Sequence, residues 1–148
     1  MKAVIQRVSD ATLKVDGEVV SQIGKGFVVY FGVEKGDDEI VCSKICKKIS
    51  TLRIFEDEKG KMNLALHDVS GEILLVSQFT LFADCSRGNR PSFFQAEQPE
   101  IANKIYQKAC KLLQNEGIMI KTGVFGADMK ILQNNDGPVT IILNSKEL

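Results

Sequence analysis

The sequence predicts a mixed α/β domain in which largely antiparallel sheets are covered by two helices. Three observations carry that expectation. Short apolar runs bounded by turn residues outnumber helical repeats, only two segments show helical apolar spacing, and strands and helices do not alternate regularly. At 148 residues, 44% hydrophobic and 26% charged, the chain lies in the ordinary range for one compact domain, taken as residues 1–148.

Lys2–Val8 and Ala11–Val15 read as strands, followed by the Asp16-Gly17 hairpin turn and by Glu18–Ile23 and Gly26–Val33. Gly36-Asp37-Asp38 supplies an N-cap signal. After it Ile40, Val41, Ile45, Ile49 and Leu52 recur with helical spacing, while Lys44, Lys47 and Lys48 fall mostly on other faces. Arg53-Ile54-Phe55 reads as a strand entering the Asp57–Gly60 turn, with Leu64 and Leu66 on its return. Glu72–Phe82 reads as a near-continuous apolar strand, and Ala83–Gln98 as a polar connection long enough to suggest a functional loop. Pro99 opens the second helix, whose stripe is Ile101, Ile105, Ala109, Leu112 and Leu113 and whose stop is Asn115-Glu116-Gly117. Ile118–Thr122, Met129–Gln133 and Val139–Leu143 read as three closing strands.

Composition narrows the function. Met1–Arg7 lacks the apolar stretch of an export signal, and no segment approaches the ~18 apolar residues of a membrane span, so a soluble, cytoplasmic protein is expected. Cys42, Cys46, Cys85 and Cys110 are expected as reduced thiols. His67 is the sole histidine and no second close cysteine pair exists, so no metal site is expected. Nineteen Lys+Arg balance nineteen Asp+Glu, without the basic excess common in nucleic-acid binders. Cations nevertheless gather at Lys104, Lys108, Lys111, Lys121 and Lys130 and around Arg87 and Arg90, where a solvated face and a phosphate-contacting patch both fit.

Two segments carry candidate chemistry. Ser77-Gln78-Phe79-Thr80 places three hydrogen-bonding side chains at the end of an apolar run, where polar groups need partners; an edge strand facing water is the plain alternative. Asn134–Thr140 holds Gly137-Pro138 between two strand segments, where a turn suffices unless the Gly-Pro peptide is cis.

Ser77–Thr80 and Asn135–Thr140 resemble the two signature motifs of the D-aminoacyl-tRNA deacylase family, Ser-Gln-Phe-Thr and Asn-x-Gly-Pro-Val-Thr. The resemblance runs end to end, taking in Met1–Val8, Leu52–Phe55, Gly60–Leu64, Gly88–Phe93 and Thr122–Met129. It implies a barrel-like core and a homodimer in which Gly137-Pro138, with a cis peptide, enters the other subunit's pocket beside Ser77–Thr80. It also implies hydrolysis of D-aminoacyl-tRNA with no cofactor, and a binding place for the terminal adenine at Phe125, Gly126 and Met129. Those three residues fit ordinary core at a strand start as well.

Thr80 is the family's proposed nucleophile, yet no adjacent base is evident to activate it. A second route is attack by water, helped by the terminal 2′-hydroxyl of the tRNA, with backbone N–H groups near Phe79 and Thr80 stabilising the oxyanion. Ser77 and Gln78 then orient the substrate. Carbonyls beside Gly137-Pro138 are expected to hold the α-ammonium group, so that an L side chain is driven into the proline wall. Glycine, with no side chain to exclude, is expected to pass the same filter. His67 reads as a surface-loop residue, since no Ser-His-Asp arrangement accompanies it.

Overall fold

Asp16 and Gly17 adopt positive φ values of 51° and 85°, the backbone twist that a two-residue hairpin needs, and they fold β1 (Lys2–Val15) onto β2 (Glu18–Ile23). The computed structural model describes the whole chain, Met1–Leu148. After β3 (Gly26–Gly32) come α1 (Glu39–Thr51), the short hairpin β4 (Phe55–Glu56) and β5 (Met62–Leu64), and β6 (Glu72–Ser77). A 3-10 turn (Phe79–Phe82), α2 (Pro99–Asn115), β7 (Met119–Thr122) and β8 (Lys130–Asn144) complete the main elements. Asp38 caps α1 by accepting from the Val41 N–H at 2.9 Å, and Pro99 sits in the first turn of α2, where its missing N–H costs nothing.

β1 organises the sheet. Its first half pairs with β3 and its second half with β2 along one edge, while β8 runs along the other edge, all antiparallel. The expected strands Lys2–Val8 and Ala11–Val15 are therefore one bent strand, and Met129–Gln133 and Val139–Leu143 are likewise one strand with Gly137-Pro138 inside it. The register of β1 on β8 slips between Gln6 and Asp10, so a bulge absorbs the polar residues that the sequence presents as breaks. Arg7 fills the gap. Its buried guanidinium donates from Nε to the Asp136 carbonyl at 3.1 Å and from Nη1 to the Ile54 carbonyl at 2.7 Å.

β3, β6 and β7 are parallel neighbours, an arrangement set within the otherwise antiparallel sheet. β3 and β6 approach so closely at Gly26 that a Cβ there would lie 1.9 Å from the Glu72 carbonyl oxygen, so only glycine fits. Ser21 Oγ donates to the Thr122 carbonyl at 2.6 Å, tying β2 towards β7 and nearly closing the sheet into a barrel.

The pleat sends alternate residues into two cores. Ile5, Phe27, Val29, Phe31, Ile73 and Leu75 pack with the inner stripes of α1 and α2, while Val8, Leu13, Val28, Leu74 and Val76 form a second cluster inside the curled sheet. Each such side chain contributes about 1.5–3 kcal/mol on full burial. Cys42, Cys46 and Cys110 are free thiols buried in the helix layer, and Cys85 is free and exposed. The Cys42 and Cys46 thiols face the Ile105 and Ala109 carbonyls at 3.8 and 4.0 Å, and burial pushes the Cys110 thiol up to about 11. No helix is long and apolar enough to cross a membrane.

Candidate active site

Because β3, β6 and β7 run parallel, their carboxyl ends open on one side of the sheet, the usual place for a ligand in such an arrangement. A cavity of about 600 Å³ lies there, its walls drawn from Phe31 and Val33 at the end of β3, Val76–Phe79 at the end of β6, and Phe125–Met129 beyond β7. The start of α2 and the end of the Ala83–Gln98 connection close the remaining side through Ala102, Tyr106 and Phe93.

The apolar run from Glu72 does not continue to Phe82 as a strand. β6 ends at Ser77, where the Gln78 N–H makes the last ladder bond to the Phe31 carbonyl at 2.8 Å, and the chain then coils into the 3-10 turn. β6 is also interior, flanked by β3 and β7, so Ser77 and Gln78 are not water-facing edge residues; they stand at a strand end on the cavity wall. The turn carries Phe79 and Thr80 outward. Phe79 meets Phe93 edge to face at 5.1 Å, and Gln78 Nε2 donates to Thr80 Oγ1 at 2.5 Å. Gln78 makes no side-chain cap, so the leading N–H groups of the turn lack the partner that capping would supply.

Ser77, Gln78 and Phe79 thus meet Phe125, Gly126 and Met129 around one cavity. Thr80 is next to that wall in sequence but is exposed and outside the lining. Gly137 and Pro138 are elsewhere: their peptide is cis, both residues are exposed on β8, and neither lines the chain's own cavity. Gly137 has φ 123°, and a Cβ on it would press on Val139 Cγ2 at 2.8 Å and Arg7 Nη2 at 3.2 Å. Asp136 carries an ion pair to Arg7 at 3.3 Å, so the buried arginine holds this stretch through both its main chain and its side chain.

The cavity holds two carboxylates, both already engaged. Glu97 accepts from the Gln98 N–H at 2.7 Å and the Gly36 N–H at 3.3 Å, and Asp128 pairs with Lys130 at 2.9 Å. His67 is exposed and is not part of the lining. No group of three or more His, Cys, Asp or Glu side chains is gathered as metal ligands.

Sequence reasoning missed Tyr106. Its hydroxyl donates to the Leu75 carbonyl at 2.7 Å, the same oxygen that the Gly123 N–H reaches at 3.2 Å, and burial holds its proton far above the usual phenol range. The residue thereby meets β6 at the point where the chain leaving β7 is bonded to it, and its ring tilts against Phe125 at 6.0 Å. In the sequence it is one more large residue on the inner face of α2, with nothing to separate it from Ile105 or Ala109.

Residues 4–144 match the family model described as D-Tyr-tRNA(Tyr) deacylase. The chain is 54% identical over 148 residues to a D-aminoacyl-tRNA deacylase of Persephonella marina, covering all of both chains. It is 51% identical over 144 residues to one of Lactobacillus acidophilus, covering 97% of this chain and 99% of the relative. The solved structure of a c-Myc DNA Unwinding Element Binding Protein superposes with a TM-score of 0.91 at 42% identity, over 97% of this chain and 98% of that one. A probable eukaryotic D-amino acid tRNA deacylase shares the fold with a TM-score of 0.82 at 16% identity, over 96% and 97%. A match that runs almost from end to end, at about half identity to relatives of equal length, leaves one conclusion: this chain belongs to the D-Tyr-tRNA(Tyr) deacylase family.

Proposed function

We propose that the protein hydrolyses the ester joining a D-amino acid to the 3′ end of tRNA, and releases glycine from glycyl-tRNA by the same route. The observation that carries this reading is the meeting of Ser77, Gln78 and Phe79 with Phe125, Gly126 and Met129 around one cavity at the carboxyl ends of three parallel strands. Phe125 and Met129 offer an apolar surface for a splayed terminal base, while the end of β6 faces the acyl group. Water adds to the ester carbonyl, the bond from the acyl carbon to the ribose oxygen breaks, and that oxygen leaves with a proton. The terminal 2′-hydroxyl assists, and the uncapped N–H groups near Phe79 and Thr80 stabilise the developing oxyanion. No cofactor takes part.

The chiral filter is assigned to a homodimer in which the partner subunit's Gly137 and the partner subunit's Pro138 complete this cavity. Two features support the assembly: the Gly-Pro stretch is exposed and outside its own cavity, and Ile142 and Leu132 on the same strand are 71% and 58% exposed. Main-chain carbonyls at that stretch hold the α-ammonium group, and an L side chain then meets the proline wall. The enzyme acts as a single catalytic domain in the cytoplasm, where aminoacyl-tRNA is made and used.

The test is release of labelled tyrosine from D-tyrosyl-tRNA and, in parallel, L-tyrosyl-tRNA at neutral pH with a chelator present. Loss of only the D ester is expected. Release from neither by a folded dimer defeats the reading, and a monomer by sedimentation that retains full chiral selectivity removes the shared filter.

A further inference from the structure

The long connection after the 3-10 turn is a structured arm. Asp84 and Ser92 pair through both backbone bonds, N–H to carbonyl at 2.8 and 2.9 Å, and so pinch off the seven residues 85–91 as a separate tip. The tip is shaped from within, with the Asp84 carboxylate accepting from the Ser86 N–H at 2.9 Å and Gly88 at φ 137°. At its base Phe93 lies on the cavity wall against Phe79. The arm therefore starts where the proposed substrate ends.

Between Asp84 and Glu97, which stand at its two ends, the charge of the arm is one-sided. From Cys85 to Ala96 there is no Asp or Glu, while the tip carries Arg87 and Arg90, and neither arginine enters any of the chain's salt bridges. Two of the other candidate cations are engaged internally, Lys108 with Glu39 at 2.8 Å and Lys130 with Asp128 at 2.9 Å, while Lys104, Lys111 and Lys121 are as unpaired as the arginines. Arg90 is three residues from Phe93, so chain connectivity alone holds its Cα within about 11 Å of the cavity wall.

An exposed aromatic adjoins the arm. Phe94 is 79% exposed, and Lys35 Nζ lies 3.6 Å from its ring centroid, held there by the Lys35 N–H to Gln95 carbonyl bond of 3.0 Å. One face of the ring is covered by a cation and the other is open. A planar base stacks on such a surface, and two unpaired arginines within a few residues of it suit the phosphates that follow.

We propose that residues 83–98 form an RNA-binding arm: Arg87 and Arg90 contact phosphates of the tRNA acceptor end, and Phe94, backed by Lys35, stacks on an unpaired base there. The proposal rests on the reading of the adjacent cavity as the place of the aminoacylated 3′ end. It gives a chain with no net charge a stretch free of acidic residues beside the cavity, where phosphates can be held.

The experiment measures binding of deacylated tRNA by fluorescence anisotropy at low and higher salt, for the wild type and the Arg87→Gln/Arg90→Gln double variant. Two lost phosphate contacts remove about 1.4–1.8 from the salt slope, so between about 50 and 200 mM salt the wild type loses about tenfold more affinity than the variant does. Phe94→Ala lowers affinity by about fivefold or more at every salt concentration, because stacking is not screened. Equal salt slopes for wild type and double variant overturn the arm, as does full affinity in Phe94→Ala. D-aminoacyl-tRNA hydrolysis by the wild type is followed in the same preparations. An arginine-dependent salt slope without any hydrolysis keeps the arm and removes the activity; hydrolysis with equal slopes does the reverse.

Discussion

Replacing Thr80 by alanine separates the two routes to ester hydrolysis. In the structure the hydroxyl has one side-chain partner, Gln78 Nε2, and that group donates, so nothing in contact with Thr80 accepts its proton. The cavity carboxylates are bound to backbone N–H groups or to Lys130, and His67 is outside the lining. If Thr80 only fixes the Gln78 carboxamide, Thr80→Ala removes one exposed hydrogen bond of about 1 kcal/mol, and kcat/KM falls by about fivefold. If Thr80 is the attacking group, its loss removes the covalent route, a fall on the order of a thousandfold or more by comparison with other lost nucleophiles. The assay is single-turnover release of labelled amino acid from D-aminoacyl-tRNA with enzyme in excess, on protein whose melting curve matches the wild type. A residual rate within about tenfold agrees with attack by water, and a rate at the uncatalysed level refutes it.

Other consequences are open to simpler measurements. Tyr106→Phe should cost only about 1 kcal/mol in urea unfolding, the low end for a buried hydrogen bond, because the Leu75 carbonyl keeps the Gly123 N–H; a loss well beyond that would show that the hydroxyl holds more than this one oxygen. Gly137→Ala puts a side chain at φ 123° and against Val139 and Arg7, so about 1–3 kcal/mol of stability should go, with deacylation falling alongside; an unchanged melting temperature would contradict the geometry. Alkaline pH should destabilise the fold. The Cys110 thiol is raised to about 11 from 9.0, so the unfolded chain releases this proton first, and the contribution present below pH 9 is lost as pH rises through about 11. The fall amounts to about 2–3 kcal/mol at most and should shrink in Cys110→Ala when urea midpoints are compared across that range.

The helices and the first hairpin were legible because their signals are local. Asp38 as a cap, the spacing of Ile45 and Ile49, Pro99 at a first turn and the Asp16-Gly17 pair each act within a few residues, and the structure keeps them where the pattern put them. The continuity of β1 and β8 was not legible, because a bulge restores pairing across residues that read as breaks. The guanidinium that fills the gap belongs to Arg7, 129 positions from its partner Asp136. Nor did the apolar run Ile73–Val76 disclose its parallel neighbours, since a buried strand has the same composition whichever way its partners point. An edge strand facing water consequently stays open as an alternative for Ser77 and Gln78 until β3 and β7 are seen on either side. Resemblance singled out Ser77–Thr80, Phe125, Gly126, Met129 and Gly137-Pro138, of which all but Thr80, Gly137 and Pro138 line one cavity; Tyr106 carries no mark in the sequence, because its importance lies in one carbonyl on another element.

The opening of three parallel strands on one side also bears on how such a molecule changes over generations. The ladders and the two buried clusters lie behind the strand ends, whereas residues 85–91 are exposed and stand beyond the Asp84–Ser92 pair, outside both clusters. Alterations in that tip can change which nucleic acid is met at the cavity mouth while the buried frame is left alone. Inheritance can thus act on selectivity and on durability almost as separate traits, and a lineage can try new nucleic-acid partners without first surrendering its fold.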